Sequence, residues 1–457
     1  MALYSYLFGL LLACVSYLVY QKYVNVYTSI IIKPQKRYDY IIVGAGTAGC
    51  VLASRLTEDP NTSVLLVEAG DHMGYFTKIP LTPTAAQQGP DDWSVRTKAQ
   101  KYSSFGLWGQ SQFIPRGKGL GGSGQINFLL HGFGLPGDYD RWAQLGFQGW
   151  TFKDLKPLAS MHSKKNIFRR PTATIKDGAR YSTLNAYLKP ALGRKNLHVL
   201  LKTQAVSIRF INMTASSLYI LQNHRELDNI FVNKEIIVAA GAIKSPQLLM
   251  LSGIGPPELL QSGVEYQTTS AVMLFSMGTA SERLLRDLSN YKPQVFRDTF
   301  PFYNNTNKEG FMFLSTCVQP RSRGTITLAD STTSMPPVVD PNYLEQYYDV
   351  KCMIKGKAEE LVSTKPFQDI GARIHWPRPE RCLSLWRYSK EDQRGPVVRR
   401  RKFGKKQSQP KEQKPKPKPI PSPPDAYLEC IIREVAVTGH HAGGTCAGGR
   451  VVDEELR

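Results

Sequence analysis

A glycine-rich turn between an apolar strand pattern and an apolar helix pattern constrains this chain more than any other feature. The residues are apolar over 40–43, and Gly44, Gly46 and Gly49 then follow in the spacing G-x-G-x-x-G. A helical apolar pattern continues to Leu56. In this arrangement the first glycine allows a tight turn, the second lets the backbone approach a pyrophosphate, and the third lets the helix pack closely on the strand.

A second apolar run strengthens this interpretation. Residues 63–67 read as a buried strand that ends at Glu68, 24 residues after Gly44. An acid at this place can accept a hydrogen bond from an adenosine ribose, and its charge repels a 2′-phosphate, which disfavours NADP. The order strand, glycine turn, helix, strand, acid predicts a dinucleotide-binding unit, whereas a glycine turn alone is often only a loop.

Four further blocks follow the glycine turn in a fixed order: residues 116–127, residues 138–150, residues 235–256, and residues 441–446. With the turn, these blocks resemble the glucose–methanol–choline (GMC) family of FAD-dependent oxidoreductases, of the insect glucose dehydrogenase-like and choline dehydrogenase-like type. The resemblance covers most of residues 38–265 and returns at 318–365 and 427–457. It implies FAD as the cofactor.

The resemblance also implies the fold. We expect an α/β protein with a Rossmann-like FAD-binding domain and a second, substrate domain built on an antiparallel sheet, incomplete at its C-terminus relative to the family. The FAD-binding domain is expected to be discontinuous, over 38–150, 195–265 and 427–457. The substrate domain is expected over 151–194 and 266–393.

Cofactor-binding residues can be carried over from the family onto this sequence. The resemblance places the pyrophosphate on the first glycine turn, the ribose on the acid, the flavin beside the second glycine block and the adenine against a later backbone strand. The residues are Gly44, Gly46, Thr47, Ala48, Gly49, Glu68, Arg116, Gly121, Gly122, Ser123, Asn127 and Val206. Some members attach FAD covalently through a histidine just before the position of Asn127. Ile126 stands there, so we expect non-covalent FAD.

The expected chemistry is oxidation of an alcohol. The substrate loses a proton and a hydride, and a neutral imidazole is a suitable general base near neutral pH. His441 stands where the family has its catalytic histidine, ahead of Gly444, Thr445 and Cys446. His440 is expected to pack or to line the pocket. We expect a hydride transfer from the CH–OH group of a small-molecule alcohol to flavin.

Two points about this function stay open at the level of the sequence. The electron acceptor can be oxygen or a quinone. The alternative function is that of a catalytically inactive or truncated homologue that binds FAD or a partner without turnover.

The N-terminus predicts a membrane anchor or signal segment over residues 1–21. Residues 2–20 are uncharged and mostly apolar, a length that can span a bilayer. Basic residues just after the segment favour a cytosolic body, whereas three N-x-S/T triplets, at Asn61, Asn212 and Asn304, suit a luminal one. Because insect-type members of the family are commonly secreted or membrane-linked, we expect the secretory pathway, with the protein anchored or secreted.

Ten of the 21 net positive charges lie in one tract. Residues 394–419 hold eleven basic residues and one acid, Glu412, with many prolines and few apolar residues. This composition predicts a disordered basic Pro/Lys-rich insert over 394–424. The tract has a single aromatic residue, Phe403, and no aromatic residues interleaved with its basic ones for base stacking, so no nucleic acid is expected. The alternative is a basic arm that tethers the protein to a membrane or a nucleic acid.

The seven cysteines are spread along the chain. None lies in a C-x-x-C pair or at zinc-finger spacing, so no metal site is expected. Their odd and sparse number argues against a disulfide scaffold, and most are expected to be small buried apolar residues.

Overall fold

The computed structural model describes residues 9–17, 28–80, 82–157, 172–222, 225–226, 229–255, 270–277, 286, 289–300, 310–356, 362–372, 374–386 and 423–457. The strands are β1 (Ile30–Ile31), β2 (Arg37–Val43), β3 (Val64–Val67), β4 (Val95–Arg96), β5 (Phe113–Ile114), β6 (Leu130–His131), β7 (Thr172–Ala173), β8 (Ile175–Lys176), β9 (Ala179–Arg180), β10 (Leu197–Leu200), β11 (Thr203–Ile211), β12 (Thr214–Gln222), β13 (Arg225–Glu226), β14 (Ile230–Val238), β15 (Ser270–Met277), β16 (Gly310–Cys317), β17 (Thr325–Thr327) and β18 (Val338–Asp340).

Helices surround these strands, and several of them are short. They are α1 (Thr47–Leu56), α2 (Pro136–Gln144), α3 (Phe152–Leu155), α4 (Lys189–Ala191), α5 (Gly241–Leu251), α6 (Pro293–Thr299), α7 (Tyr347–Ile354), α8 (Lys365–Asp369) and α9 (Asp425–Val435). Residues 9–17 are also helical. A π-helical turn over Leu184–Leu188 leads directly into α4.

One mixed sheet of eight strands carries the fold. Its order is β1-β10-β3-β2-β14-β12-β11, and β13 pairs with β12. The five strands from β1 to β14 in this order are parallel to their neighbours, and β12 and β11 add an antiparallel edge. Strand β3 is apolar and buried throughout, and β2 is apolar and buried over its last three residues, because both faces of the sheet are covered there. The predicted strand–turn–helix–strand unit is confirmed as β2-α1-β3.

The core lies on both faces of this sheet. One cluster contains alternate residues of β2, such as Ile41, together with the antiparallel edge strands. The other contains Ile42, residues Cys50 and Ala53 of α1, and Leu188. The carboxyl ends of β2, β3 and β14 are thereby held in register, and in parallel sheets ligands bind at this edge.

The remaining strands form small separate pairs. Two of these pairs, β15 with β16 and β17 with β18, are antiparallel and come from residues 270–340. The sequence over 320–328 alternates as a strand with one solvated face does, but only Thr325–Thr327 form regular strand. The predicted division into an FAD-binding and a substrate domain, with its boundaries, stays a prediction.

The expectation about cysteines was wrong for four of the seven. Cys317 is bonded to Cys352 and Cys382 to Cys430, across 35 and 48 residues of sequence. Each bond joins partners that are distant along the chain and belong to different elements, which spacing alone does not show. Cys50, on α1, is free and buried as expected.

The two segments of unusual composition lie mainly outside the described residues. Of the predicted anchor over 1–21, the structure describes only 9–17, and of the predicted insert over 394–424 only the last two residues. Among the described residues, no helix combines the length and the apolar character that crossing a membrane requires.

Candidate active site

The first glycine turn lies at the carboxyl end of β2. Gly44 has a φ of +102°, and a Cβ on it would stand 2.6 Å from the carbonyl oxygen of Ala239. A Cβ on Gly49 would stand 1.9 Å from the carbonyl oxygen of Gly44. Both positions therefore accept only glycine, as the fingerprint predicts. Gly46 is different, because a Cβ there would meet no heavy atom closer than 3.9 Å.

The start of α1 offers an open set of backbone donors. Gly46 is its N-cap, with no side-chain hydrogen bond to the first turn and no acidic residue in that turn. Thr47 and Ala48, the next two predicted residues, are exposed. The first N–H groups of a helix have no partner within the helix and carry its positive dipole end. This end of the helix therefore favours an anionic group such as a pyrophosphate.

The second glycine block packs directly against the first. Gly121 donates its N–H to the carbonyl of Ala45 at 2.8 Å. A Cβ on Gly122, whose φ is +55°, would stand 2.7 Å from the Cα of Gly46. Ser123 turns its hydroxyl back to accept from the N–H of Gly117 at 3.1 Å. The structure thus brings the two glycine blocks into contact, and Gly46 of the first block lies against Gly122 of the second.

Asn127, the last predicted residue of this block, is held by an arginine that sequence reasoning missed. Arg180 donates from Nη1 to Asn127 Oδ1 at 2.6 Å and from Nη2 to the Asn127 carbonyl at 2.8 Å. It also donates to the carbonyls of Thr77 and Gly124. Burial lowers the pKa of Arg180 to about 10. Because all of these acceptors are neutral, the guanidinium carries an uncompensated positive charge beside the block.

Glu68 lies at the end of β3, where the sequence predicts it. Its carboxylate accepts from the N–H of Ala45 at 2.8 Å and from the N–H of Gly70 at 2.9 Å. Burial raises the pKa of the carboxyl, and these two backbone donors oppose that shift. Glu68 therefore fixes the glycine turn as well as standing at the predicted ribose position, and each oxygen keeps a further lone pair for a ligand.

Val206, predicted to lie beside the adenine, belongs to β11. This strand begins beside the end of β3, since Thr203 donates its N–H to the Glu68 carbonyl at 2.9 Å. The register with β12 shifts between Ala205 and Ser207, so Val206 forms a bulge. The bulge takes Val206 out of the regular ladder with β12, and its contact with an adenine stays a prediction.

The histidine motif is anchored to the other end of the same sheet edge. Thr445 donates from its hydroxyl to the carbonyl of Ala242, in the first turn of α5, at 2.6 Å. The imidazole of His441 is exposed. His440 is mostly buried instead, and its carbonyl accepts a hydrogen bond from Nη2 of Arg116. The predicted base and the predicted flavin block are therefore neighbours in the fold.

Two lysines that the prediction did not include lie on one indole ring in the same region. The ammonium groups of Lys118 and Lys244 stand 4.9 Å and 4.3 Å from the ring centroid of Trp93. Lys244 donates to Gln247 Oε1 at 2.8 Å. Burial and the charge of Lys118 lower the pKa of Lys244 to about 8. The low pKa shows that the charge of Lys244 is uncompensated in the protein alone, and a bound anion would favour its protonated form.

These features fit an FAD dianion. Four cations lie in or beside the second glycine block: Arg116, Lys118, Arg180 and Lys244. None of them forms an ion pair with a carboxylate among the residues that the structure describes. Burial lowers the pKa of three of them, Arg116, Arg180 and Lys244. Buried cations without carboxylates are compensated when an anion binds. The residues present therefore suit a pyrophosphate-bearing cofactor.

Comparison with known proteins identifies relatives of the chain. The N-terminal sequence profile described as GMC oxidoreductase matches residues 38–167 and 162–268, and the C-terminal profile matches 320–457. "Neither inactivation nor afterpotential protein G" of Drosophila melanogaster is 31% identical over 92% of this chain and 84% of the relative. Glucose dehydrogenase [FAD, quinone] of Drosophila melanogaster is 25% identical over 93% of this chain and 81% of the relative.

Solved structures share the fold. Pyridoxine 4-oxidase from Mesorbium loti superposes with a TM-score of 0.62 at 22% identity, over 92% of this chain and 91% of that one. An FAD-dependent oxidoreductase from Chaetomium thermophilum gives a TM-score of 0.61 at 17% identity, over 92% of both chains.

Proposed function

The chain belongs to the GMC oxidoreductase family of FAD-dependent enzymes acting on CH–OH donors, and from this we propose the roles of its residues. We propose that His441 is the general base that removes the hydroxyl proton of an alcohol. The observation that carries this role is the position of the histidine motif, which Thr445 ties to α5 at the edge of the sheet where the two glycine blocks meet. The exposed imidazole is free to reach a substrate.

We infer that the cofactor lies along the two glycine blocks. Backbone donors at Gly46, Thr47 and Ala48 would bind the pyrophosphate, and Glu68 would accept from the ribose. The open side of Gly46 supports this placement, because a Cβ there would enter no protein contact shorter than 3.9 Å. When bound, FAD supplies the acceptor for the substrate hydride.

The second block would complete the cofactor site. The residues proposed to line the flavin are Arg116, Gly121, Gly122, Ser123 and Asn127. Arg180, which the sequence did not indicate, positions Asn127 through two hydrogen bonds. Non-covalent attachment is proposed, since Ile126 has no group that could bond to the flavin ring. Val206 is proposed to meet the adenine through its backbone.

The substrate is proposed to be a small-molecule alcohol and the electron acceptor oxygen or a quinone. Relatives carry the names glucose dehydrogenase [FAD, quinone], ecdysone oxidase and alcohol dehydrogenase [acceptor]. These names suggest a panel of alcohols to test as substrates. The purified protein should show a flavin spectrum. Anaerobic addition of glucose, ecdysone or a primary alcohol should bleach it. A flavin that no alcohol in a broad panel reduces would favour the alternative of an inactive FAD-binding homologue.

We also propose that the protein resides in an oxidising compartment of the secretory pathway. Two disulfides join distant parts of the chain, and such bonds persist in secreted proteins and are rare in the cytosol. Non-reducing electrophoresis of protein from its own tissue, with thiol alkylation at lysis, tests this. Four freely alkylated cysteines at 317, 352, 382 and 430 would contradict it.

A further inference from the structure

Two neighbouring side chains hold buried polar atoms that lack a partner. Nε of Arg116 and Nδ1 of His440 are both buried and form no hydrogen bond in the described part of the chain. The two residues touch, since Nη2 of Arg116 donates to the His440 carbonyl. Most buried polar atoms in folded proteins are satisfied. Two unsatisfied atoms in touching residues indicate that a ligand supplies their partner.

The backbone of His440 is held in an unfavourable conformation. Its φ is +64°, in the left-handed region that a non-glycine residue rarely adopts. Three bonds fix the preceding turn: His440 N–H donates to Thr438 Oγ1 at 3.1 Å, Tyr343 Oη donates to the same oxygen at 2.8 Å, and Thr438 N–H donates to Gln112 Oε1 at 2.5 Å. Strain that the surroundings maintain is characteristic of functional sites.

The charges around the pair define what it can bind. Burial, Arg116 and His441 together lower the pKa of His440 to about 4, so its imidazole is neutral at neutral pH. A neutral imidazole has one N–H and one lone pair, and the guanidinium has only donors. Asp92 is the acid whose charge acts on the Arg116 guanidinium through space. Its carboxylate already accepts hydrogen bonds from the backbone N–H groups of Arg116 and Ser94. The complementary ligand atom is therefore an oxygen that bears partial negative charge.

We propose that Arg116 Nε–H and His440 Nδ1–H together bind one oxygen atom, the carbonyl oxygen of the flavin ring or the hydroxyl oxygen of the alcohol. His440 is then a second ligand-binding histidine beside the base, with a tautomer that places its proton on Nδ1. This inference rests on the proposed function, because both oxygens belong to the reaction of His441. It gives His440 a role that the family motif does not assign.

The test uses the full-length protein and two substitutions that tolerate a positive φ. His440→Asn places an amide N–H close to the position of Nδ1, and His440→Gly removes the ring without backbone strain. We expect the glycine variant to lose about 10- to 100-fold in flavin affinity or in kcat/KM, the effect of one buried hydrogen bond to a charged or polarised group. The asparagine variant should stay within about threefold of the parent.

The measured quantity identifies the source of the oxygen. A shift of the flavin absorption maximum, reduction potential or FAD dissociation constant in the glycine variant assigns the oxygen to the cofactor. A raised KM with an unchanged flavin spectrum assigns it to the substrate. Added imidazole should partly restore the affected quantity, because it refills the space that the ring leaves.

Other outcomes separate this inference from the proposed function. A glycine variant that equals the parent in flavin spectrum, potential, FAD affinity and KM overturns the inference and leaves His440 a packing residue. An asparagine variant as impaired as the glycine variant also overturns it, since the N–H would then be irrelevant. A parent protein that binds no flavin at all contradicts the proposed function itself, whatever the variants do.

Discussion

Gly46 and Gly122 bring the two glycine blocks into direct backbone contact. A Cβ on Gly122 would stand 2.7 Å from the Cα of Gly46, whereas a Cβ on Gly46 would find Gly122 Cα at an ordinary 3.9 Å. The relationship is asymmetric: the protein needs glycine at 122 for its own packing, but at 46 it leaves space. A substitution at Gly46 therefore reports on the cofactor more than on the fold.

Gly46→Val should abolish flavin binding with little change in the stability of the apoprotein. The branched side chain would occupy the place proposed for the pyrophosphate, while its Cβ clashes with no protein atom. Flavin absorbance per protein and the melting temperature of the apoprotein measure the two effects. Gly49→Ala is the control, since its Cβ would stand 1.9 Å from the Gly44 carbonyl oxygen, and it should fail to fold. Stoichiometric flavin in Gly46→Val would place the cofactor elsewhere.

Glu68→Gln should weaken both the fold and the binding of FAD. The carboxylate accepts from two backbone N–H groups, and an amide can accept only through its oxygen, so one buried donor would face an NH₂ group. Leaving such a group unsatisfied costs about 1–3 kcal/mol. Denaturant unfolding of the apoprotein measures the loss of stability, and calorimetric titration with FAD measures the loss of affinity. The matched control, Glu58→Gln, breaks only an exposed ion pair with Arg55 and should change neither value measurably.

The disulfide between Cys382 and Cys430 should stabilise the protein independently of the basic tract that it encloses. The bond joins the turn over Glu380–Leu385 to α9, and removing a native disulfide commonly costs about 2–5 kcal/mol. Cys382→Ala should lower the melting temperature. A reductant should lower the melting temperature of the parent by more than that of the variant, because the variant has already lost this bond and keeps only the one between Cys317 and Cys352.

Deletion of residues 396–419, inside that loop, should leave flavin content and melting temperature nearly unchanged. The two ends of the loop remain joined by the disulfide, and the entropy of closing a loop depends only weakly on its length. Differential scanning calorimetry of the deletion variant beside the parent measures this. A large loss of folded protein would show that the tract packs against the body.

The low pKa of His440 predicts that acid destabilises the fold. Burial, with Arg116 and His441, holds the pKa near 4 in the folded state, against about 6.5 when unfolded, so only the unfolded state takes up a proton between these values. Stability should fall as pH drops from about 6.5 to 4, by about 3 kcal/mol in total, and this loss should stop below pH 4. Unfolding free energies of the parent and of His440→Asn should therefore diverge in that window. Parallel curves would contradict the assignment.

Local spacing was enough to predict the backbone of the first half of the candidate site. The turn from Gly44 to Gly49, the helix α1 and the acid at Glu68 lie within one βαβ unit, where the positions of glycines and apolar residues determine the backbone. The family resemblance added the second glycine block and His441. The structure places these elements at one edge of the sheet.

Contacts between distant residues were not predictable in this way. Arg180 reaches Asn127 across 53 residues, and Lys244 meets Lys118 on Trp93 only because α5 packs beside the second glycine block. The expectation about the cysteines was wrong for the same reason, since spacing does not show which cysteines become neighbours in the fold. A buried arginine without a nearby acid leaves no signal in the sequence, because its acceptors are backbone carbonyls and an amide.

His441 is the proposed base, and its removal should appear in the rate of flavin reduction. His441→Ala should slow reduction of the flavin by an alcohol by about 10²–10⁴, the range for loss of a positioned general base. FAD should remain bound, because the proposed pyrophosphate and ribose contacts lie at Gly46 and Glu68. The rate is measured by stopped-flow bleaching under anaerobic conditions, with flavin content and melting temperature as controls. His440→Gly, at the neighbouring position and compatible with its positive φ, should cost less, since it removes a ligand contact but no proton acceptor. An active parent whose His441→Ala variant reduces flavin as fast would show that another group takes the proton.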